Sequence, residues 1–171
     1  MFKFKFTTRN LTGLALLLAM EIVLSRFLSV NAWNIKIGFS FLPVAVAAIL
    51  YGPLAAAVVA ALADFLGAIL FPVGPYFPGF TLTAFLTGLV FGLFLHRKQN
   101  LPRILSAVAV NQLILSLFLN TFWISVLYDS PFGPLLATRV VQTMILVLIQ
   151  VPCIHAVSRL LTRYGKKVFA L

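Results

Sequence analysis

Acidic side chains are almost missing from this chain: three Asp and Glu stand against thirteen Lys and Arg in 171 residues. The shortage leaves no constellation of acid, base and nucleophile for an enzyme. Histidine does not supply one either. His96 sits in a basic cluster and His155 stands alone in an apolar run, with no carboxylate or cysteine at ligand spacing, so no metal is expected. The single cysteine, Cys153, lies in another apolar run and excludes a disulfide framework. No glycine-rich loop could cradle a phosphate, which excludes nucleotide hydrolysis by this chain alone, and no cofactor is expected. Repeats of 20–50 residues, low-complexity segments and a second domain are also missing.

What the chain has in abundance is apolar surface, at 62% hydrophobic residues and a mean hydropathy of +1.09. Such runs belong in a bilayer. Six candidate spans are predicted, at Leu11–Ser29, Phe39–Tyr51, Leu54–Phe71, Thr81–Leu95, Ile104–Leu127 and Leu135–Leu161. The expectation is an all-α integral membrane protein, one six-transmembrane-helix bundle over residues 1–171. The second span is short for about 30 Å of hydrocarbon, and Pro43 interrupts it, which predicts a kinked or partial crossing. The basic start resembles a signal peptide, but Glu21 and Arg26 break the apolar run and no small-residue cleavage site follows, so it is read as a retained first helix. Phe71–Phe80, with three prolines and two glycines, reads as an external loop.

Charge then orients the bundle. Lys3, Lys5, Arg9, Arg97, Lys98, Arg103, Arg159, Arg163, Lys166 and Lys167, ten of the thirteen basic residues, fall on one side, which predicts both termini in the cytoplasm. The net charge of +10 is thereby mostly juxtamembrane charge facing anionic lipid, and nucleic acid is excluded as a partner. The other three, Arg26, Lys36 and Arg139, sit near outer helix ends, where an unpartnered charge is costly.

Other polar groups gather at the same end. Gln112, Ser116, Asn120 and Trp123 draw a stripe up the fifth span, and Arg139 and Gln142 share a face of the sixth. Asp64 lies near mid-membrane, while Trp33, Asn34, Tyr76 and Phe77 occupy the two loops above. Cations, amides and aromatics converging at one end describe a pocket for a flat, polar anion. Each feature also has an architectural alternative. Arginines at helix ends snorkel, Asp64 and Arg139 could form a structural ion pair, amides can join helices, and aromatics belt the interface.

Several signatures in order carry a resemblance. Ala15 and Ala19 form an AxxxA pair, followed by GFSFLP at Gly38–Pro43, YGP at Tyr51–Pro53 and ADFLG at Ala63–Gly67. The chain thus resembles the substrate-binding S components of energy-coupling factor (ECF) vitamin transporters. LSRFL at Leu24–Leu28, KIGFSF at Lys36–Phe41 and NTFW at Asn120–Trp123 resemble the folate-specific members. The resemblance implies a prokaryotic, multi-pass cell-membrane protein that captures folate in an outward pocket and transports nothing alone. It implies as partners a membrane coupling protein, met by Ala15 and Ala19, and two cytoplasmic ATPases. It also implies that 30–38 and 72–79 gate the pocket. Folate suits the residues: Arg26, Lys36 and Arg139 match carboxylates, Trp33, Tyr76, Phe77 and Trp123 offer ring faces, and Asp64, Asn120 or Gln142 could pair with the pterin edge. The alternatives are another vitamin such as riboflavin or pantothenate, or a membrane protein of structural or assembly function with no small ligand.

Overall fold

The computed structural model describes residues 7–31 and 36–165. Six helical rods make up nearly all of it: α1 Thr8–Arg26, α2 Phe41–Tyr51, α3 Pro53–Leu70, α4 Pro78–Leu95, α5 Leu101–Tyr128 and α6 Phe132–Leu160. Five are long and apolar enough to cross a membrane. The exception is α2, whose 11 residues span only about 16 Å. Pro43 does not kink it. The ring sits in the first turn, where a missing N–H breaks no helical bond.

Local chemistry sets the boundaries. Gly52 turns α2 into α3 at φ 92°, a left-handed conformation that costs glycine little, and Pro53 starts the next helix. Pro78 likewise opens α4, so residues 78–80 are helical where the sequence predicts loop. Asp129 at φ 49° ends α5, an orientation that aspartate tolerates better than most side chains. Between α1 and α2 the chain forms a two-residue antiparallel ladder, Val30–Asn31 (β1) against Lys36–Ile37 (β2), an element the loop reading did not contain.

The fifth span departs most from expectation. Residues Val110–Leu119, ten in all, are π-helical, inside what the sequence predicts as one α-helix. Asn111 and Gln112, consecutive in this segment, are both buried.

Small residues let α2, α3 and α4 pack backbone to backbone. Ala47, Ala48, Ala56 and Ala57 have no exposed surface, and Gly88 and Gly92 of α4 face Ala56, Ala57 and Pro53. The alanines of α2 and α3 are therefore largely spent on internal packing. By contrast α1 buries only Leu17 and Glu21, and Ala15 and Ala19 are exposed. Leu95, Ile104, Ala107, Val108 and Ile154 weight the apolar core toward the α4–α5 turn. The opposite end is left hollow.

Candidate functional site

That hollow is a cavity of about 610 Å³, within the range of small-molecule sites. Eight of the residues singled out in the sequence line it: Arg26, Lys36, Asp64, Tyr76, Phe77, Asn120, Arg139 and Gln142. Trp33 and Asn34 lie outside the described residues. Trp123 does not line the cavity; its ring packs on Phe77 at 5.5 Å, and its indole N–H donates to Thr83 at 3.1 Å. Thr83 in turn donates to the Gly79 carbonyl, so Trp123 braces the start of α4.

Arg26 closes α1, and its side chain is only 12% exposed. Its guanidinium donates to the Asp64 carbonyl at 3.3 Å and lies 3.9 Å from the Asp64 carboxylate. The ion pair formed by Asp64 is thus with Arg26, across α1 and α3, where the sequence alternative paired it with Arg139. Thr81 donates to the other Asp64 oxygen at 2.9 Å, and the Tyr76 hydroxyl meets Thr81 at 3.2 Å. One polar chain therefore joins α1, α3, α4 and the α3–α4 connection. Tyr76 also packs edge-on against Phe65, which fixes the connection over the cavity. Gly67 leaves the room this needs, since a Cβ there would lie 2.8 Å from Arg26 Nε.

The α1–α2 connection is tied down from the other side. Gln142 donates to the Lys36 carbonyl at 2.7 Å, and the Lys36 ammonium donates to Ser25 Oγ at 2.7 Å. Much of the Lys36 side chain stays exposed, but partial desolvation of its ammonium, and then the neighbouring Arg26 charge, lower its pKa from the ordinary 10.5. Arg139, 6% exposed, donates to the Ser116 carbonyl in the π-helical segment at 3.2 Å.

Several lining residues were not singled out as site residues: Glu21, Ser25, Thr83, Thr87, Asn111 and Gln150. Asn111 escapes because it lies beside the stripe and not on its 3- and 4-residue spacing. Glu21 reads in the sequence merely as a break in an apolar run. Among the described residues no three His, Cys, Asp or Glu side chains gather as metal ligands. The arrangement can hold a small molecule: cations and amides line its walls and aromatic rings cover it.

Known proteins match the chain over most of its length. Residues 9–158 fit the family model described as ECF transporter, substrate-specific component. A folate transporter FolT of Clostridium novyi (strain NT) is 38% identical over 151 residues, 88% of either chain. One from Leuconostoc mesenteroides subsp. mesenteroides is 33% identical, covering 97% of this chain and 94% of that one. A crystal structure of FolT bound with folic acid superposes with a TM-score of 0.85 at 31% identity, over 90% of this chain and 94% of the other. The chain belongs to the substrate-specific components of ECF transporters.

Proposed function

We propose that this protein captures folate in the cavity beneath the α3–α4 connection and delivers it as the S component of an ECF-type importer. The observation that carries the reading is the pairing of a folic-acid-bound structural relative with a cavity that holds Arg26, Lys36 and Arg139 among buried amides. Guanidinium and ammonium groups suit the dicarboxylate tail. Tyr76 and Phe77 supply ring faces, and Trp123 acts behind Phe77.

The chain is a multi-pass membrane protein, and we place it in the cell membrane of a prokaryote. Counting α2 as a partial sixth crossing puts both termini on one side, and Arg9, Arg97, Lys98, Arg103, Arg159 and Arg163 make that side the cytoplasm. The cavity then opens outward. Delivery is by a membrane coupling protein and two cytoplasmic ATPases, a reading supported by membership of the substrate-specific components of ECF transporters. The exposed Ala15 and Ala19 on the least buried helix suit close approach by a helix of the coupling protein.

A titration of purified protein with folate, riboflavin, thiamine and pantothenate, following intrinsic fluorescence against a free-tryptophan control, tests the ligand. Saturation by folate alone is expected; saturation by another vitamin refutes the choice of folate. Silence with all four favours a membrane protein without a ligand. The partner surface makes a separate prediction. Ala15→Trp and Ala19→Trp leave folate affinity intact but abolish uptake in cells containing the coupling machinery. Normal uptake by both variants rejects that surface.

Lys36 adds a pH dependence. Its charged form attracts the ligand carboxylates, so affinity falls as pH rises through its depressed pKa. In Lys36→Arg the charge persists at every accessible pH, and that alkaline fall disappears from binding isotherms.

A further inference from the structure

Each polar side chain near Arg26 makes at least one hydrogen bond or ion pair, although Arg26 Nε and the Gln142 oxygen stay unmatched; deeper in the cavity whole groups go without. Arg26 is held by Asp64, Lys36 by Ser25, and the Gln142 amide by the Lys36 carbonyl. Five residues earlier on α1, about 7.5 Å down the axis, Glu21 is only 8% exposed. It lines the cavity, its Oε2 is shut off from solvent, and that atom has no hydrogen-bond partner. Gln150, about 12 Å beyond Gln142 along α6, leaves its side-chain oxygen without a partner too. So do Gln112, and both polar atoms of Asn111, on the π-helical segment.

Buried polar groups are rarely left unmatched, and a carboxylate least of all. A cluster of them lining a cavity is a template for a ligand. Glu21 and Asp64 are the two carboxylates lining it, and Asp64 is committed, with one oxygen toward Arg26 and the other accepting from Thr81. Glu21 is the carboxylate left over. An ionised carboxylate accepts two parallel N–H bonds but donates none.

We infer that Glu21 reads the donor edge of the pterin, its ring N3–H and exocyclic 2-amino group, so that the ring lies deep and the dicarboxylate tail lies toward Arg26 and Lys36. The inference rests on the folate reading above and adds to it the residue that selects the ring. The 2-amino-4-oxopyrimidine presents two adjacent donors, matching the two carboxylate oxygens. A flavin edge presents one N–H between two carbonyls, and those carbonyls would face Glu21 without a donor. Rejection of such a ring follows from polar groups left unpaired in a closed site. The tail carboxylates suit Arg26 and Lys36, the cations of the cavity that lie nearer its mouth.

Affinities of wild type, Glu21→Gln and Arg26→Ala for three ligands test this: folate, its 2-desamino-2-methyl analogue, and p-aminobenzoylglutamate, which has no pterin. Glu21→Gln is nearly isosteric, and an unchanged elution profile and melting temperature report that it folds. It should weaken folate at least about tenfold, on the scale of one charge-assisted bond. It should weaken the desamino analogue less than about threefold and leave p-aminobenzoylglutamate unaffected, whereas Arg26→Ala should weaken all three. Equal losses for folate and the desamino analogue in Glu21→Gln, or no loss for folate, overturn the assignment. Wild type that binds no folate overturns the ligand reading itself, an outcome distinguishable from either.

Discussion

Arg26→Ala weakens folate binding at least about tenfold, the roughly 1.4 kcal/mol that one charge-assisted hydrogen bond supplies. The side chain is only 12% exposed and points into a cavity rather than to open solvent, so water replaces little of what is lost. Truncation also leaves the Asp64 carboxylate with Thr81 as its remaining hydrogen-bond partner, next to the bound anion. Arg26→Lys should fall between the two, since an ammonium keeps the charge but not the two-pronged geometry. Asp64→Asn should cost less than either. Its carboxylate is 26% exposed and 3.9 Å from the guanidinium, while the Arg26 bond to the Asp64 carbonyl survives the change. Calorimetric titration of the purified variants gives the ranking, and an unchanged affinity for Arg26→Ala rejects Arg26 as a ligand contact.

Gly92→Val removes the fold itself. A Cβ at Gly92 would sit on the Pro53 Cα, with the Pro53 backbone nitrogen at 2.7 Å, and neither can yield without moving the α2–α3 turn. Overpacking of this kind costs about 1–3 kcal/mol where side chains can adjust, and here the obstacle is backbone. Expression should yield aggregated or degraded protein, and Gly88→Val should behave alike, since its Cβ would meet Ala57 Cα at 2.7 Å. Gly133→Ala is the control, with nothing within 4 Å of the added methyl, and its melting temperature should hold or rise slightly. Monodisperse Gly92→Val with an unchanged melt would mean that the contact between α3 and α4 is looser than described.

The parts of this molecule legible in its sequence are those written in composition. Long apolar runs announced the helices, and glycine and proline marked their ends. Eight of the nine suspected site residues that fall among the described residues line the cavity, since polar and aromatic side chains are conspicuous against leucine and alanine. Pairings were less legible. The sequence alternative paired Asp64 with Arg139, and only the packing of α1 on α3 brings it to Arg26, 38 positions away. Glu21 could not be assigned a face, because α1 is apolar nearly all round and its periodicity carries little direction. Trp123 belongs to the polar stripe by spacing, but its N–H is taken by Thr83.

The π-helical stretch in α5 makes register a functional variable. Winding with i→i+5 bonds over Val110–Leu119 sets the rotational phase of the ten residues against that of Asn120–Tyr128. Each residue of an α-helix advances about 100°, so deleting one residue from this stretch would turn everything beyond it by more than a quarter turn. Asn120 would leave the cavity wall and the exposed ring of Phe122 would swing toward the interior, although no lining side chain had been replaced. In such a helix an insertion or deletion is a larger event than any substitution, and sequences of different length here cannot share one pocket by residue identity alone.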